Sequence, residues 1–182
     1  MQKKYQKISE EILHNNPEWI YKHDVYKCDE KDFNYYYGEM IGNAIIVPVL
    51  DDGRIALIRQ YRYLQERSCI EFPMGGIKAG ETPVQAAIRE LREETGLESS
   101  NFSKVGEFEP MIGKVKNRSS VFIANEISNQ VELDLDAEED IELVLRRPDE
   151  INEMIKRGEI WSGQALAAWT LVRDLLITTK NK

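Results

Sequence analysis

A short acidic run in this sequence has the residue types and the spacing needed to bind divalent cations. The run Arg89-Glu90-Leu91-Arg92-Glu93-Glu94 contains three carboxylates. At about 100° per residue, Glu90, Glu93 and Glu94 fall within a sector of roughly 100° on a helix. Magnesium and manganese prefer such oxygen ligands, and a helix would hold Glu90 and Glu94 one turn apart. The alternative is a solvated helix face on which Arg89 pairs with Glu93, as is common for charge runs.

The helix that carries this run has clear start and stop signals. Thr82 is a preferred residue type at an N-cap, Pro83 suits the first helical position, and Gln85 three residues after Thr82 completes a capping box. Gly96 is placed to end the helix. The apolar residues at helical spacing, which we expect to form the buried face, are Val84, Ala87, Ile88 and Leu91.

Strand patterns on both sides of this helix predict a mixed fold. The first forty or so residues predict one or two β-hairpins, and residues 43–50 and 54–62 predict another around Asp51-Asp52-Gly53. Further strands are expected at 103–108, 119–126 and 141–145, and helices from Pro148 and over 164–177. Because strands and helices do not alternate strictly, the pattern indicates an α+β fold, or a mixed sheet with helices packed on it.

Length and charge narrow the class of protein. The chain of 182 residues suits one domain, or one domain with a modest extension. It carries 24 Lys and Arg against 32 Asp and Glu, a net charge of −8, which disfavours contact with nucleic acid or anionic membranes. Two cysteines are too few for a disulfide framework, and the longest apolar stretch, 44–50, is too short to cross a bilayer. We therefore expect a cytoplasmic protein without a nucleic-acid or membrane partner.

The residues in front of the acidic run complete a longer motif, G-x5-E-x7-R-E-U-x-E-E-x-G-U, with U an aliphatic residue. The matching residues are Gly75, Glu81, Arg89, Glu90, Leu91, Glu93, Glu94, Gly96 and Leu97. Chance agreement at every position is on the order of one in a million. The segment GGIKAGETPVQAAIRELREETGL thus resembles the signature of the Nudix hydrolase family. The resemblance implies a Nudix-type α-β-α sandwich with a mixed β-sheet, formed by residues 42–182, and an N-terminal β extension, residues 1–41, that serves dimerisation.

The resemblance also implies roles for individual residues of the motif. Glu90 and Glu94 would be the side-chain ligands of a divalent metal, Mg²⁺ or alternatively Mn²⁺. Met74, just before the first glycine of the motif, would supply a backbone carbonyl. Glu93 would be either a ligand or a group that supports one.

A second acidic patch, residues 134–142, precedes the strand expected at 141–145. As a charge run it would by default be a solvated loop. In the family, a loop at this point brings a glutamate into the site as general base or additional metal ligand. Glu139 fits that pattern best, and Glu138 is the second choice. A carboxylate beside cations stays ionised and can therefore accept a proton.

The sequence before the motif resembles one branch of the family. Arg59-Gln60-Tyr61-Arg62, followed by Glu71 and Pro73, is similar to the RQYR…E-P segment of ADP-ribose and nucleoside-diphosphate-sugar pyrophosphatases. This resemblance implies that Arg62 contacts the substrate and that Glu71 supports the site. The alternative for Arg62 is an ordinary exposed arginine at a strand end.

The chain departs from the ADP-ribose branch after the motif. That branch shows Ser-Pro-Gly and then an acidic residue, whereas here Ile112 and Asn117 occupy the positions of the proline and the acid. Lys114, Lys116 and Arg118 add positive charge that could bind a diphosphate or a sugar phosphate, or they form a solvated basic turn. We therefore expect nucleoside diphosphate sugars in general as substrates, ADP-ribose included.

The resemblance, together with these patterns, implies a metal-dependent pyrophosphohydrolase that converts a nucleoside diphosphate sugar to a nucleoside monophosphate and a sugar phosphate. It also implies, with the aromatic N-terminal segment, that the protein is a homodimer. The alternatives are a non-catalytic nucleotide-sugar sensor, and a Nudix nucleoside triphosphatase or RNA-end pyrophosphatase. His14 and His23 are the only histidines, which leaves little material for a zinc site or a Ser-His-Asp triad. The loop 75–80 lacks the Gly-Lys-Ser/Thr of a P-loop, so an ATPase of that class is excluded.

Overall fold

The structure is a computed structural model that describes residues 3–130 and 140–177, without the side chains of residues 129 and 130. The strands run in the order β1 (Tyr5–Asn15), β2 (Ile20–Cys28), β3 (Lys31–Glu39), β4 (Asn43–Pro48), β5 (Ile55–Arg62), β6 (Arg67–Glu71), β7 (Met74–Gly76), β8 (Leu97–Phe108), β9 (Val115–Lys116), β10 (Ser119–Gln130) and β11 (Ile141–Arg146). The helices are α1 (Pro83–Thr95), α2 (Pro148–Lys156) and α3 (Gly163–Ile177). The predicted α+β class is confirmed, as are the strands expected at 119–126 and 141–145 and both C-terminal helices.

Residues 3–41 and Glu109–Arg118 form one compact unit. Its sheet has the order β1-β2-β3-β9, antiparallel between β1, β2 and β3 and parallel between β3 and β9. The hairpins expected in the N-terminal segment are therefore confirmed. The hydroxyl of Tyr35 on β3 donates a hydrogen bond to the Gly113 carbonyl at 2.7 Å and so holds the segment that precedes β9 against β3. Every residue of β1 is exposed.

The second unit, 42–108 and 119–177, contains two sheets. One has the order β7-β4-β10-β8 and is mixed, because β4 and β10 run parallel while the outer pairs are antiparallel. The other is antiparallel, in the order β11-β5-β6. The strand and helix that carry the motif of the acidic run, and the strands beside them, thus all belong to this second unit.

The hairpin predicted between residues 43–50 and 54–62 is wrong. The tight turn is present, because Gly53 N donates to the Leu50 carbonyl at 2.8 Å, but only Val49 and Ile55 form a bridge. Beyond that bridge β4 joins one sheet and β5 the other. The physical reason is burial on both faces: residues 44–47 of β4 and 55–58 of β5 are all fully buried, so each strand needs its own neighbours on either side.

Alternate residues of β4 belong to two different apolar clusters. Ala44 and Ile46 pack with α1, whereas Ile45 and Val47 pack in the cluster that contains residues of α2 and α3. Helices therefore cover both faces of this sheet, as in an α-β-α sandwich. In the described part of the chain, no helix combines the length and the hydrophobicity required to span a membrane.

The buried face predicted for α1 is only half right. Ala87 and Leu91 are fully buried, but Val84 is 36% exposed and Ile88 is 49% exposed. The buried residues are Ala86, Ala87, Glu90, Leu91, Glu94 and Thr95. The helix is rotated about its axis so that Glu90 and Glu94 occupy part of its buried face. The spacing of apolar residues could not predict this, because it treats glutamates as exposed.

Candidate active site

Helix α1 starts and ends where its signals predict. Thr82 Oγ1 accepts from Gln85 N at 3.4 Å, and Gln85 Oε1 accepts from Thr82 N at 2.8 Å, which completes the capping box. Pro83 occupies the first turn, and Gly96 closes the helix in the left-handed region at φ 66°. The caps fix where the helix begins and ends, and the glutamates of the acidic run therefore lie in its last turns.

Arg89 is the centre of the acidic cluster. Its guanidinium donates to Glu81 at 2.9 and 3.1 Å, to Glu90 at 2.5 Å and to Glu93 at 2.8 Å. It also donates to the Gly76 carbonyl at 2.8 Å, which ties α1 to β7. The pKa of Arg89 is raised, chiefly by its hydrogen bonds to Glu81. The pairing of Arg89 with Glu93 is therefore one contact among several in a partly buried network.

Gly75 allows the Glu90 carboxylate to lie directly against strand β7. A Cβ atom on Gly75 would stand 1.9 Å from Glu90 Oε1 and 2.0 Å from its Cδ, far inside van der Waals contact. Glu90 itself is only 9% exposed. The first glycine of the motif is therefore required by the close approach of a carboxylate, since any side chain would occupy the same space.

Glu94 is held by the same strand. Its Oε2 accepts a hydrogen bond from Met74 N at 2.8 Å, and its residue exposure is 3%. Glu90 and Glu94 thus both lie at β7, one helical turn apart on α1. The structure brings together Met74, Glu90, Glu93 and Glu94, four of the residues that the motif predicts.

A second pair of predicted residues meets on the neighbouring sheet. Arg62, at the end of β5, donates to Glu71 on β6 through Nε at 2.7 Å and Nη2 at 3.1 Å. Burial lowers the pKa of Arg62, but the bonds to Glu71 and the charge of Glu94 outweigh burial, so the pKa is raised. Since a guanidinium has five N–H donors, this bidentate contact fixes its orientation and leaves donors for a ligand.

Of the remaining predicted residues, one belongs to the first compact unit and two are not described. Arg118 belongs to the other compact unit, where its Nε lies 3.1 Å from Glu109 Oε1. Glu138 and Glu139 lie outside the described residues. Their assignment as general base stays a prediction.

The donor set fits a hard divalent cation. Carboxylates outnumber guanidinium groups five to two in the clusters around Arg62 and Arg89, namely Glu71, Glu81, Glu90, Glu93 and Glu94. Within residues 3–130 and 140–177 there is no set of three or more His, Cys, Asp or Glu poised to hold a metal. Mg²⁺ keeps several waters and is commonly bound by only one or two carboxylates, so two side chains such as Glu90 and Glu94 would be enough to hold it.

Glu81 had no predicted role of its own, and it is the main partner of Arg89 in the structure. The signal was available, because Glu81 is a fixed position of the motif. Hydrogen bonds from Arg89 and from Lys78 N lower the pKa of Glu81 to about 2. A carboxylate with a depressed pKa stabilises the fold above its unfolded pKa and loses that contribution as the pH falls through the folded pKa.

We therefore expect Glu81→Gln to be less stable than the wild type at pH 7. The difference in Tm should shrink as the pH falls from about 4.5 to about 2, because Glu81 becomes protonated in the wild type over that range. Thermal unfolding at several pH values measures this difference. A gap in Tm that stays constant down to pH 2 would contradict the ionic role of Glu81.

Comparison with known proteins agrees with this geometry. The family model of the NUDIX domain matches residues 40–169. An ADP-ribose pyrophosphatase of Bacillus subtilis (strain 168) is 30% identical over 128 residues, 70% of this chain and 69% of that protein. A methanol dehydrogenase activator of Bacillus methanolicus is 28% identical over 128 residues, with the same coverage.

The fold has a solved counterpart as well. The crystal structure of an ADP compounds hydrolase aligns with a TM-score of 0.82 at 20% identity, over 98% of this chain and 97% of that chain. That likeness shows the fold, and the match of the domain model and the first relative shows the family. This chain, with its glutamates held against a glycine-bearing strand, belongs to the Nudix hydrolase family.

Proposed function

We propose that this chain hydrolyses the diphosphate of nucleoside diphosphate sugars, ADP-ribose among them, with Mg²⁺ as cofactor. The observation that carries the proposal is the pair of buried carboxylates, Glu90 and Glu94, held one turn apart at β7. The name of one relative, an ADP-ribose pyrophosphatase, supports the substrate class.

In the proposed reaction, the metal ion and the protein side chains have different roles. Glu90 and Glu94 would hold Mg²⁺, which would supply neutralisation of the charge on the diphosphate and activation of water. Arg89 holds Glu90 and Glu93 in place through charge-assisted hydrogen bonds. Arg62 binds a phosphate oxygen with the donors that Glu71 leaves available. A carboxylate of the 134–142 patch, Glu139 or Glu138, accepts a proton from the attacking water. The water oxygen bonds to one phosphorus, and the bond from that phosphorus to the bridging oxygen breaks. The products are a nucleoside monophosphate and a sugar phosphate.

The experiment that tests the proposal is a panel of nucleotide sugars assayed with Mg²⁺ and detection of the released phosphates. The sequence has Ile112 and Asn117 where the ADP-ribose branch has a proline and an acidic residue, and an enzyme without dedicated polar partners for one sugar discriminates weakly. We expect at least one hexose conjugate to have a kcat/KM within about tenfold of that of ADP-ribose, a gap of roughly 1.4 kcal/mol.

Other outcomes of the panel contradict the proposal in different ways. An ADP-ribose preference of about a thousandfold over every hexose conjugate would restrict the substrate to ADP-ribose. Binding without hydrolysis would indicate a nucleotide-sugar sensor, and faster cleavage of nucleoside triphosphates or RNA 5′ ends would indicate those substrates instead.

Arg62→Ala should raise KM about 10- to 100-fold with little change in kcat, because one charge-assisted hydrogen bond to substrate is lost. The variant also leaves the Glu71 carboxylate buried without its bidentate partner, at about 1–3 kcal/mol of stability. Kinetics should therefore be measured well below its Tm, with Arg59→Ala as the control, since Arg59 pairs with Glu142 on the opposite face of β5. An unchanged KM with a collapsed kcat would refute a binding role.

The first compact unit supports a homodimer. Large apolar side chains are exposed along its strands and in the 109–118 segment: Tyr5, Ile8, Ile12, Leu13, Phe33, Tyr36, Met111 and Ile112. Exposed apolar surface of this kind marks interaction sites in soluble proteins. Light scattering at micromolar concentration should give twice the mass of the chain, and a monomer would rule the homodimer out. The cytoplasmic location stays a prediction.

A further inference from the structure

One buried polar atom beside the Arg62–Glu71 pair has no hydrogen-bond partner. Gln60 lies near the end of β5 and is 9% exposed, and its Oε1 accepts no hydrogen bond from the residues that the structure describes. Buried acceptors left unpaired are rare in native proteins, because the lost hydration is not replaced. Such an atom next to a binding site is explained if a ligand supplies the donor.

Strand register shows which way Gln60 points. Residues two apart on a strand share a face, and Ile58 lies opposite Glu71, so Gln60, Arg62 and Glu71 are on the same face of the β11-β5-β6 sheet. Ala56, on that face as well, packs in the apolar cluster of α1. The Gln60 carboxamide is therefore on the side of the sheet that faces the helix of Glu90 and Glu94.

The chemistry of the two β5 side chains is complementary. Arg62 has only donors, which suit phosphate oxygens, whereas the free position on Gln60 is an acceptor. An ionised diphosphate has no hydrogen to donate, so the partner of Oε1 must come from another part of the substrate. Gln60 and Arg62 are two residues apart on the strand, a separation of about 6.8 Å. If Arg62 binds a phosphate, a hydroxyl of the sugar attached to that phosphate lies within this distance of it. The base lies farther away.

We propose that Gln60 is a specificity-determining residue whose Oε1 accepts a hydrogen bond from a sugar hydroxyl next to the diphosphate. The inference rests on the proposed function and deepens it, because it names the part of the substrate that Gln60 reads. A substrate with phosphate in place of that sugar leaves the buried oxygen unpaired, so Gln60 favours nucleotide sugars over nucleoside triphosphates.

The first test is stability without ligand. Gln60→Leu and Gln60→Met remove the unpaired acceptor and keep an apolar chain of similar size, so we expect Tm to rise by about 2–4 °C. Gln65→Leu makes the same chemical change at an exposed position just beyond β5 and should leave Tm unchanged. A fall in Tm for both Gln60 variants would show that the oxygen already has a donor within the protein and would overturn the inference.

The second test is selectivity, measured as kcat/KM with Mg²⁺ on ADP-ribose and on an alkyl ester of ADP that lacks the distal sugar. The wild type should prefer ADP-ribose about 10- to 100-fold, and Gln60→Leu should lose that preference by slowing only the sugar substrate. If a 2′-deoxy analogue instead loses rate in the wild type but not in Gln60→Leu, the oxygen reads the nucleoside ribose, which nucleoside triphosphates also carry, and the inferred preference for nucleotide sugars is overturned.

The two proposals fail in distinguishable ways. If the wild type cleaves neither ADP-ribose nor any other nucleotide sugar, the proposed function is wrong. If the wild type cleaves nucleotide sugars and Gln60→Leu keeps the same selectivity among all three probes, the proposed function stands and the role of Gln60 is wrong.

Discussion

Replacing Glu94 by glutamine should reduce turnover by about 10²- to 10⁴-fold, the several kcal/mol that a divalent ion contributes to the transition state. Glutamine keeps the shape of the side chain and an oxygen that can accept from Met74 N, so the contact at 2.8 Å can persist. Removing one of two like charges four residues apart on α1 even favours the helix by a few tenths of a kcal/mol. We therefore expect lost activity in a folded protein.

Two measurements check this expectation. Addition of Mg²⁺ should raise the Tm of the wild type and leave that of Glu94→Gln nearly unchanged, because a ligand stabilises only the state that binds it. Glu98→Gln, the same change just past the end of α1, should keep activity within about twofold. Turnover near the wild-type value in Glu94→Gln would eliminate the assignment of Glu94 as a metal ligand.

The second large effect is expected at Gly75. A Cβ there would stand 1.9 Å from Glu90 Oε1, so in Gly75→Ala the carboxylate must move by more than 1 Å to reach normal contact. A displacement of about 1 Å in a catalytic group can reduce the rate on the order of 10²-fold. The atoms displaced are the end of a side chain, so we expect only a small change in Tm.

The adjacent glycine provides a matched control. A Cβ on Gly76 would meet nothing within 4 Å, although Gly76 lies in the same strand and its carbonyl accepts from Arg89. Gly76→Ala should therefore remain active with unchanged Tm. Equal activity of the two variants would show that the close approach of Glu90 to the strand has no part in turnover.

Much of this arrangement could be predicted from local signals in the sequence. The capping box at Thr82 and the glycine at position 96 fixed both ends of α1, because these signals act within a few residues. The motif also predicted that Met74, Glu90, Glu93 and Glu94 lie close together. Its fixed spacing corresponds to one strand, one turn and one helix, which are neighbours in the sequence.

The features that were missed depend on residues distant in the sequence. The separation of β4 from β5 depends on β10 and β11, which lie some 70 to 90 residues later in the chain. β4 pairs with β10 and β5 pairs with β11, instead of with each other as the turn between them had suggested. The rotation of α1, which exposes Ile88, follows from the burial of Glu90 and Glu94 against β7. Apolar periodicity treats such glutamates as surface residues. The unpaired oxygen of Gln60 is visible only once its neighbours are in place.

The division between β4 and β5 has a consequence for how substrate range can evolve. Arg62, Glu71 and Gln60 stand on one sheet, whereas Glu90 and Glu94 lie against a strand of the other, and only Phe72 and Pro73 join β6 to β7. On the roles proposed above, changes in the β11-β5-β6 sheet would alter substrate binding without replacing any residue of α1 or β7. Substrate range and the hydrolytic reaction would then be able to change independently in evolution.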